Sequence, residues 1–207
     1  IIWVGCRSCS GAVLCKWRHC FVLICRDCKM NTLKTPRLLL REANDADAAF
    51  LVRLMNEPAY LRLIGDRGVR TVLNACEYIA TAPIYRYCSE HLGFNIVELA
   101  NGGMPVGICG LVRRDSQGDV EIGYAISDMY AGQGYATEAA VATREHAHGE
   151  LAFARLTATT LVKNVASRRV LEKIGMTLQQ VSNPDESGPV TCRYVSFKGG
   201  SHHVVSA

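Results

Sequence analysis

Asp119-Val-Glu-Ile-Gly-Tyr-Ala-Ile-Ser-Asp-Met-Tyr-Ala-Gly-Gln-Gly-Tyr-Ala-Thr-Glu-Ala-Ala140 changes its period halfway, and that change decides the fold. Val120, Ile122, Tyr124 and Ile126 alternate with Glu121, Gly123 and Ala125, the period of two of a strand with unlike faces. From Ala136 the spacing is helical. Between the two lies Gly132-Gln133-Gly134, where missing side chains let backbone N–H groups approach a ligand and the helix dipole adds partial positive charge. A phosphate is the expected occupant; a plain tight turn is the alternative for any glycine pair.

The flanking residues narrow the ligand. A nucleotide-triphosphate loop needs Gly-Lys-Ser/Thr, which does not follow, and a dinucleotide fingerprint needs a third small residue where Thr137 stands. The stretch instead resembles the pyrophosphate loop of the GNAT acyltransferase superfamily, Gln/Arg-x-x-Gly-x-Gly/Ala, here Ala131-Gly132-Gln133-Gly134-Tyr135-Ala136. Its first position departs from the pattern, with Ala131 in place of Gln or Arg. A second motif follows in the expected order. Asn164-Val-Ala-Ser167-Arg-Arg-Val-Leu-Glu-Lys173-Ile-Gly175-Met176 resembles Asn-x-x-Ser-x-x-(apolar)-x-Glu-Lys-x-Gly-(Phe or similar) of the same superfamily. With the opening Thr35-Pro-Arg-Leu38 and Glu121-Ile-Gly-Tyr124, the resemblance spans residues 30 to about 198. It is closest in kind to the branch of the ribosomal-protein N-terminal alanine and serine acetyltransferases.

The resemblance implies an α+β fold: a mixed, mostly antiparallel sheet of about six to seven strands flanked by helices, its fourth and fifth strands splayed. The pantetheine arm of acetyl-CoA would lie in that gap, and no metal is expected. It implies direct acetyl transfer to a primary amine, whether a protein N-terminus, a lysine or a small amine, with no covalent enzyme intermediate.

Residue chemistry agrees. An α-amino group has a pKa of about 7.7–8.0 and a lysine about 10.4, so a proton must be removed. Glu121 is the candidate base, acting through water; its plain alternative is a surface or paired carboxylate. A backbone N–H of Ile126 or a neighbour would stabilise the developing oxyanion. Many relatives place a tyrosine in the second helix to protonate the leaving thiolate, but Leu171 stands there. Ser167 is the available hydroxyl, or else it bonds within its helix. Gly132, Gln133, Gly134, Tyr135 and Ala136 would bind the coenzyme, and Asn164 would bind the pantetheine amides, cap its helix, or do both.

Residues 1–29 form a separate leader. They hold six of the ten cysteines, both tryptophans, five Lys/Arg and one Asp, whereas the remainder has 18 charges of each sign. A neutral body gives no reason to expect nucleic acid or an anionic membrane as partner. Cys6-x-x-Cys9 and Cys25-x-x-Cys28 have zinc-ribbon spacing. Met30, however, opens a stretch like the natural start of many acetyltransferases, so upstream translation is the competing origin. A non-catalytic acyl-CoA-binding protein with a zinc-ribbon docking module is the rival function. Four scattered cysteines in the body fit reduced thiols in a cytoplasmic protein. A monomer or homodimer is expected by analogy.

Residues 30–198 are expected to form the catalytic domain and 199–207 a flexible tail. Strands are expected near 37–41, 94–99, 106–112, 120–126, 155–160, 177–181 and 190–197, and helices near 45–56, 71–81, 136–149 and 164–174. Residues 57–70, which mix the breaker Pro58, apolar residues and a Gly-Asp-Arg-Gly turn, would line the acceptor site, unless Asp66 and Arg67 pair with each other in a solvated turn.

Overall fold

In a computed structural model the chain is described at residues 12–17, 20–25, 32–81, 92–113, 118–182 and 188–199. The cysteines Cys6, Cys9 and Cys28, the start at Met30 and most of the tail lie outside these residues. Ala12–Trp17 (β1) and Cys20–Cys25 (β2) make an antiparallel ribbon of their own.

The other strands form one sheet. Leu33–Lys34 (β3), Leu38–Arg41 (β4), Gly93–Leu99 (β5), Pro105–Arg113 (β6), Val120–Ile126 (β7), Arg155–Leu161 (β8), Thr177–Ser182 (β9) and Thr191–Phe197 (β10) lie in the order β3-β4-β5-β6-β7-β8-β10-β9. All seven expected strands are present. The eighth, β3, has two residues and pairs at the edge with β4, too short for any periodicity to announce it.

The helices are Ala48–Met55 (α1), Pro58–Leu63 (α2), Val72–Thr81 (α3), Tyr135–His148 (α4) and Val165–Lys173 (α5). Helix α2 falls where only a broken segment was expected. Pro58 begins it rather than breaking it, because a proline in the first turn gives up an N–H that has no helical acceptor. No helix among the described residues is long and apolar enough to cross a membrane.

Two apolar clusters cover opposite faces of the sheet. Leu38, Val97, Leu111, Val120, Ile122 and Leu156 pack with Ala139 and Ala140 of α4 and Leu171 of α5. Ile96, Ile108 and Ala125 pack with Phe50, Leu51, Leu54 and Met55 of α1 and Ala75 and Ile79 of α3. Ala139, Ala140 and Ala147 of α4 are fully buried, which brings that helix close onto the strands. Strand alternation thus assigns every β7 side chain to a face: Val120, Ile122, Tyr124 and Ile126 toward α4 and α5, Glu121, Gly123 and Ala125 toward α1 and α3.

Arg41 ties the sheet to the start of α1. Its guanidinium reaches Asp47 and Glu98, each at 2.8 Å, and both carboxylates are buried. At the centre of the sheet, Gly110 stands opposite Phe94 on one side and Gly123 on the other. Any side chain at Gly110 would overlap the carbonyl oxygen of Gly93.

Candidate active site

Helix α4 is the crossover between β7 and β8, which run parallel and pair only at Val120 with Leu156 and Glu121 with Thr157. Beyond that register the strands part. The split opens a cavity of about 660 Å³ that reaches both faces of the sheet, with walls from α2, α5, β7, β8 and the loop before α4.

Two backbone features serve this gap. Ser127 N–H bonds the Val106 carbonyl at 2.9 Å, across the pair Ile126–Gly107. That bond makes Ile126–Gly107 a non-hydrogen-bonded antiparallel pair, so the N–H of Ile126, and of Tyr124 two residues before it, is aimed away from β6 and into the gap. The expected oxyanion donor therefore faces where β8 has departed. The second feature is the loop. Gly132 and Gly134 have φ of 76° and 82°, a region that favours glycine. Gly134 caps α4 with no side-chain bond, leaving the N–H groups of the first turn for an anion.

The sequence-predicted residues converge. Glu121, Ile126, Gly132, Gly134, Tyr135, Ala136, Asn164 and Ser167 all border the cavity, whereas Gln133 does not. The Gln133 carbonyl instead accepts from Arg37 at 3.0 Å. Arg37, which the loop-centred reading missed, braces the loop from outside the cavity. Its guanidinium bonds Glu138 at 2.6 Å and lies 4.7 Å over the Tyr135 ring. A cation does stand at this loop, then, contributed by the β3–β4 turn rather than by position 131.

Glu138 also accepts from the Thr35 hydroxyl at 2.6 Å and the Arg37 N–H at 2.9 Å. Burial pushes its carboxyl up, but the bonds from Thr35 and Arg37 outweigh that and hold it below the usual range. A depressed carboxylate stabilises the fold in full above its unfolded pKa, about 4.3, and loses that contribution as pH falls through the lower folded value. The difference in melting temperature between wild type and Glu138→Gln is therefore expected to be largest near neutral pH. It should begin to narrow below about pH 4.3 and close only after pH has fallen through the lower folded value, where both proteins carry a neutral group.

Glu121 is 9% exposed and accepts from the Thr159 hydroxyl at 3.2 Å. On the opposite face, the hydroxyl of the half-buried Tyr124 donates to the Ser167 carbonyl at 3.0 Å and lies 3.1 Å from the Ser167 hydroxyl. Burial pushes the Tyr124 phenol well above its ordinary pKa, only partly opposed by the Ser167 bond, so it keeps its proton. Sequence reasoning found Leu171 where relatives carry a tyrosine and missed that β7 supplies a phenol from across the gap. Its signal was the parity of Tyr124, opposite to that of Glu121. Asn164 caps α5, accepting from the Ser167 N–H at 3.1 Å. Cys109 is fully buried against Thr143, its thiol pushed up to about 12 by burial, so no thiolate is on hand there as a nucleophile.

An anion cradle at a helix N-terminus, opening into a split sheet with a carboxylate on one face and hydroxyls on the other, fits a transferase that works on acyl-CoA thioesters. The model of the acetyltransferase (GNAT) domain family matches residues 37–177. The chain belongs to the GNAT acetyltransferase family, acyltransferase enzymes with acetyl-CoA as donor. It is 40% identical over 158 residues to the uncharacterized protein YkkB of Bacillus subtilis (strain 168), covering 70% of this chain and 84% of YkkB. Among solved structures it resembles the ribosomal-protein-S5-alanine acetyltransferase of Vibrio fischeri, with a TM-score of 0.70 and 13% identity over 82% of this chain and 97% of that one. The microcin C7 self-immunity acetyltransferase MccE, solved with acetyl-CoA and AMP, gives a TM-score of 0.67 and 16% identity over 79% and 93% of the two chains. At these identities the likeness is one of fold.

Proposed function

We infer that this protein is a cytoplasmic N-acetyltransferase that moves an acetyl group directly from acetyl-CoA to a primary amine. One observation carries the reading: the cavity passes through the sheet at β7–β8, with Glu121 on the α1/α3 face and Tyr124 and Ser167 on the α4/α5 face. Acetyl-CoA supplies the acetyl group activated as a thioester. The chain's own residues do the rest.

The N–H groups at the start of α4 hold the pyrophosphate, kept in place by the grip of Arg37 on the Gln133 carbonyl. Arg169 and Lys173, one turn apart on α5 and both bordering the cavity, offer positive charge to the remaining phosphate of CoA. Glu121 draws the proton from the acceptor amine, directly or through water. The amine nitrogen then bonds the acetyl carbon while the Ile126 N–H steadies the carbonyl oxygen. As the carbon–sulfur bond breaks, the Tyr124–Ser167 pair returns a proton to the thiolate, so an amide and free CoA thiol leave.

A Tyr124→Phe variant is expected to lose about tenfold in kcat with an unchanged KM for acetyl-CoA. That is less than the roughly 10²–10⁴ of a full acid–base contribution, because a thiolate leaves readily. Thiol release from acetyl-CoA, measured with the full chain against peptides of different first residue and small amines, tests the function. Acceptor-dependent release supports it; acetyl-CoA binding with no release toward any amine overturns it.

A further inference from the structure

The residues between α2 and α3 form a fixed wall. Asn56, at the end of α1, donates to the carbonyls of Val52 and Val69 at 2.6 and 2.7 Å, and Val69 is buried. Gly65 and Gly68 take φ of 109° and 71° on either side of Asp66-Arg67, a turn that other residues enter only with strain. The expected Asp66–Arg67 pair does not form. Asp66 is engaged by the Arg70 guanidinium and accepts from the Gly68 N–H at 2.8 Å. A carboxylate one residue away is thus occupied by another cation, and Arg67 borders the cavity beside the phenol of Tyr60.

The position of this pair matters more than its charge. Tyr60 belongs to the cluster on the α1/α3 face, the face that Glu121 occupies and the one opposite α4 and α5. The other carboxylate on that side of α2, Glu57, is taken by the Ser127 hydroxyl at 2.6 Å and the Asp128 N–H at 2.9 Å. Those bonds fasten the start of α2 to the end of β7 and so hold Tyr60 over the split, with the exposed Arg67 side chain at the outer edge of the cavity. Gly123, the β7 residue after Glu121 on this face, has no side chain because the Phe94 ring fills that place. The acceptor half of the cavity therefore presents a carboxylate at the seam and a guanidinium with a phenol at its outer wall.

Resting on the acetyltransferase reading, we propose that the acceptor is an aminocarboxylate, its amine directed to Glu121 and its carboxylate held by Arg67 and the Tyr60 hydroxyl. A guanidinium fork and an O–H donor match the two oxygens of a carboxylate, and a plain amine leaves both unmet. The carboxylate can come from a free amino acid or from an acidic side chain near a peptide N-terminus.

The test uses the full chain with free α-amino acids, their amides, and peptides with Glu or Gln as second residue. Thiol release is followed, with calorimetry of the same acceptors on the CoA complex. Acids are expected to exceed their amides, or Glu peptides their Gln partners, by about tenfold or more in kcat/KM, the size of one charge-assisted contact. Arg67→Gln should remove that preference by raising acceptor KM about tenfold, leaving kcat and the KM for acetyl-CoA in place, and Arg67→Lys should restore part of it. Preference for acids identifies the free amino acid as source, and preference for Glu peptides identifies the side chain. If no acceptor is turned over but acids still bind in an Arg67-dependent way, the transfer reading falls and the carboxylate site stands. If amides turn over or bind as well as acids and Arg67→Gln changes neither, the proposal is overturned.

Discussion

Glu121→Gln is expected to lower kcat by roughly 10²–10⁴ at neutral pH, the span over which a positioned base contributes. The substitution keeps the shape of the side chain and an oxygen that can still accept from Thr159, so the loss would be of proton removal rather than of structure. Two further readouts separate those causes. The KM for acetyl-CoA should not move, because Glu121 lies on the face away from α4 and α5. Activity should return as pH climbs toward the acceptor's own pKa, about 7.7–8.0 for an α-amine, where solvent alone supplies the neutral nucleophile. Full turnover by the variant across the pH range would remove Glu121 from the mechanism.

Gly110→Ala should be the most damaging small substitution in the sheet. A β-carbon there would overlap the Gly93 carbonyl oxygen and come 2.7 Å from the Phe94 Cα. Both are backbone atoms, so no rotamer change relieves the conflict, and β5 would have to withdraw from β6. Overpacking of this kind costs about 3 kcal/mol or more, out of a total of roughly 5–15 for a domain. A fall in melting temperature of roughly 6–12 °C is expected for a chain of this size. A melting curve that matches wild type would show that the two strands have room which the register denies them.

Much of this was legible because the deciding signals are local. The period of two through β7, the glycines before α4 and the Asn164 cap are read within a few residues of one another, and they placed the strand, the loop and both motif helices. What escaped depends on partners far apart in sequence. Arg37 meets the loop across 96 residues, and Tyr124 meets Ser167 across 43, so neither contact has a sequence spacing to betray it. The alternative of an Asp66–Arg67 pair failed for a different reason. Adjacent opposite charges suggest a pair, but the turn set by Gly65 and Gly68 delivers Asp66 to Arg70, four residues on. Pro58 misled as a breaker because its effect depends on which turn of a helix it occupies.

The split between β7 and β8 gives the protein two doors. On the mechanism proposed above, donor and acceptor approach from opposite faces, so each should enter and leave without displacing the other. In product-inhibition experiments CoA should compete with acetyl-CoA alone, and the acetylated product with the amine alone. Initial-velocity plots should intersect rather than run parallel, since both substrates must be present before anything departs.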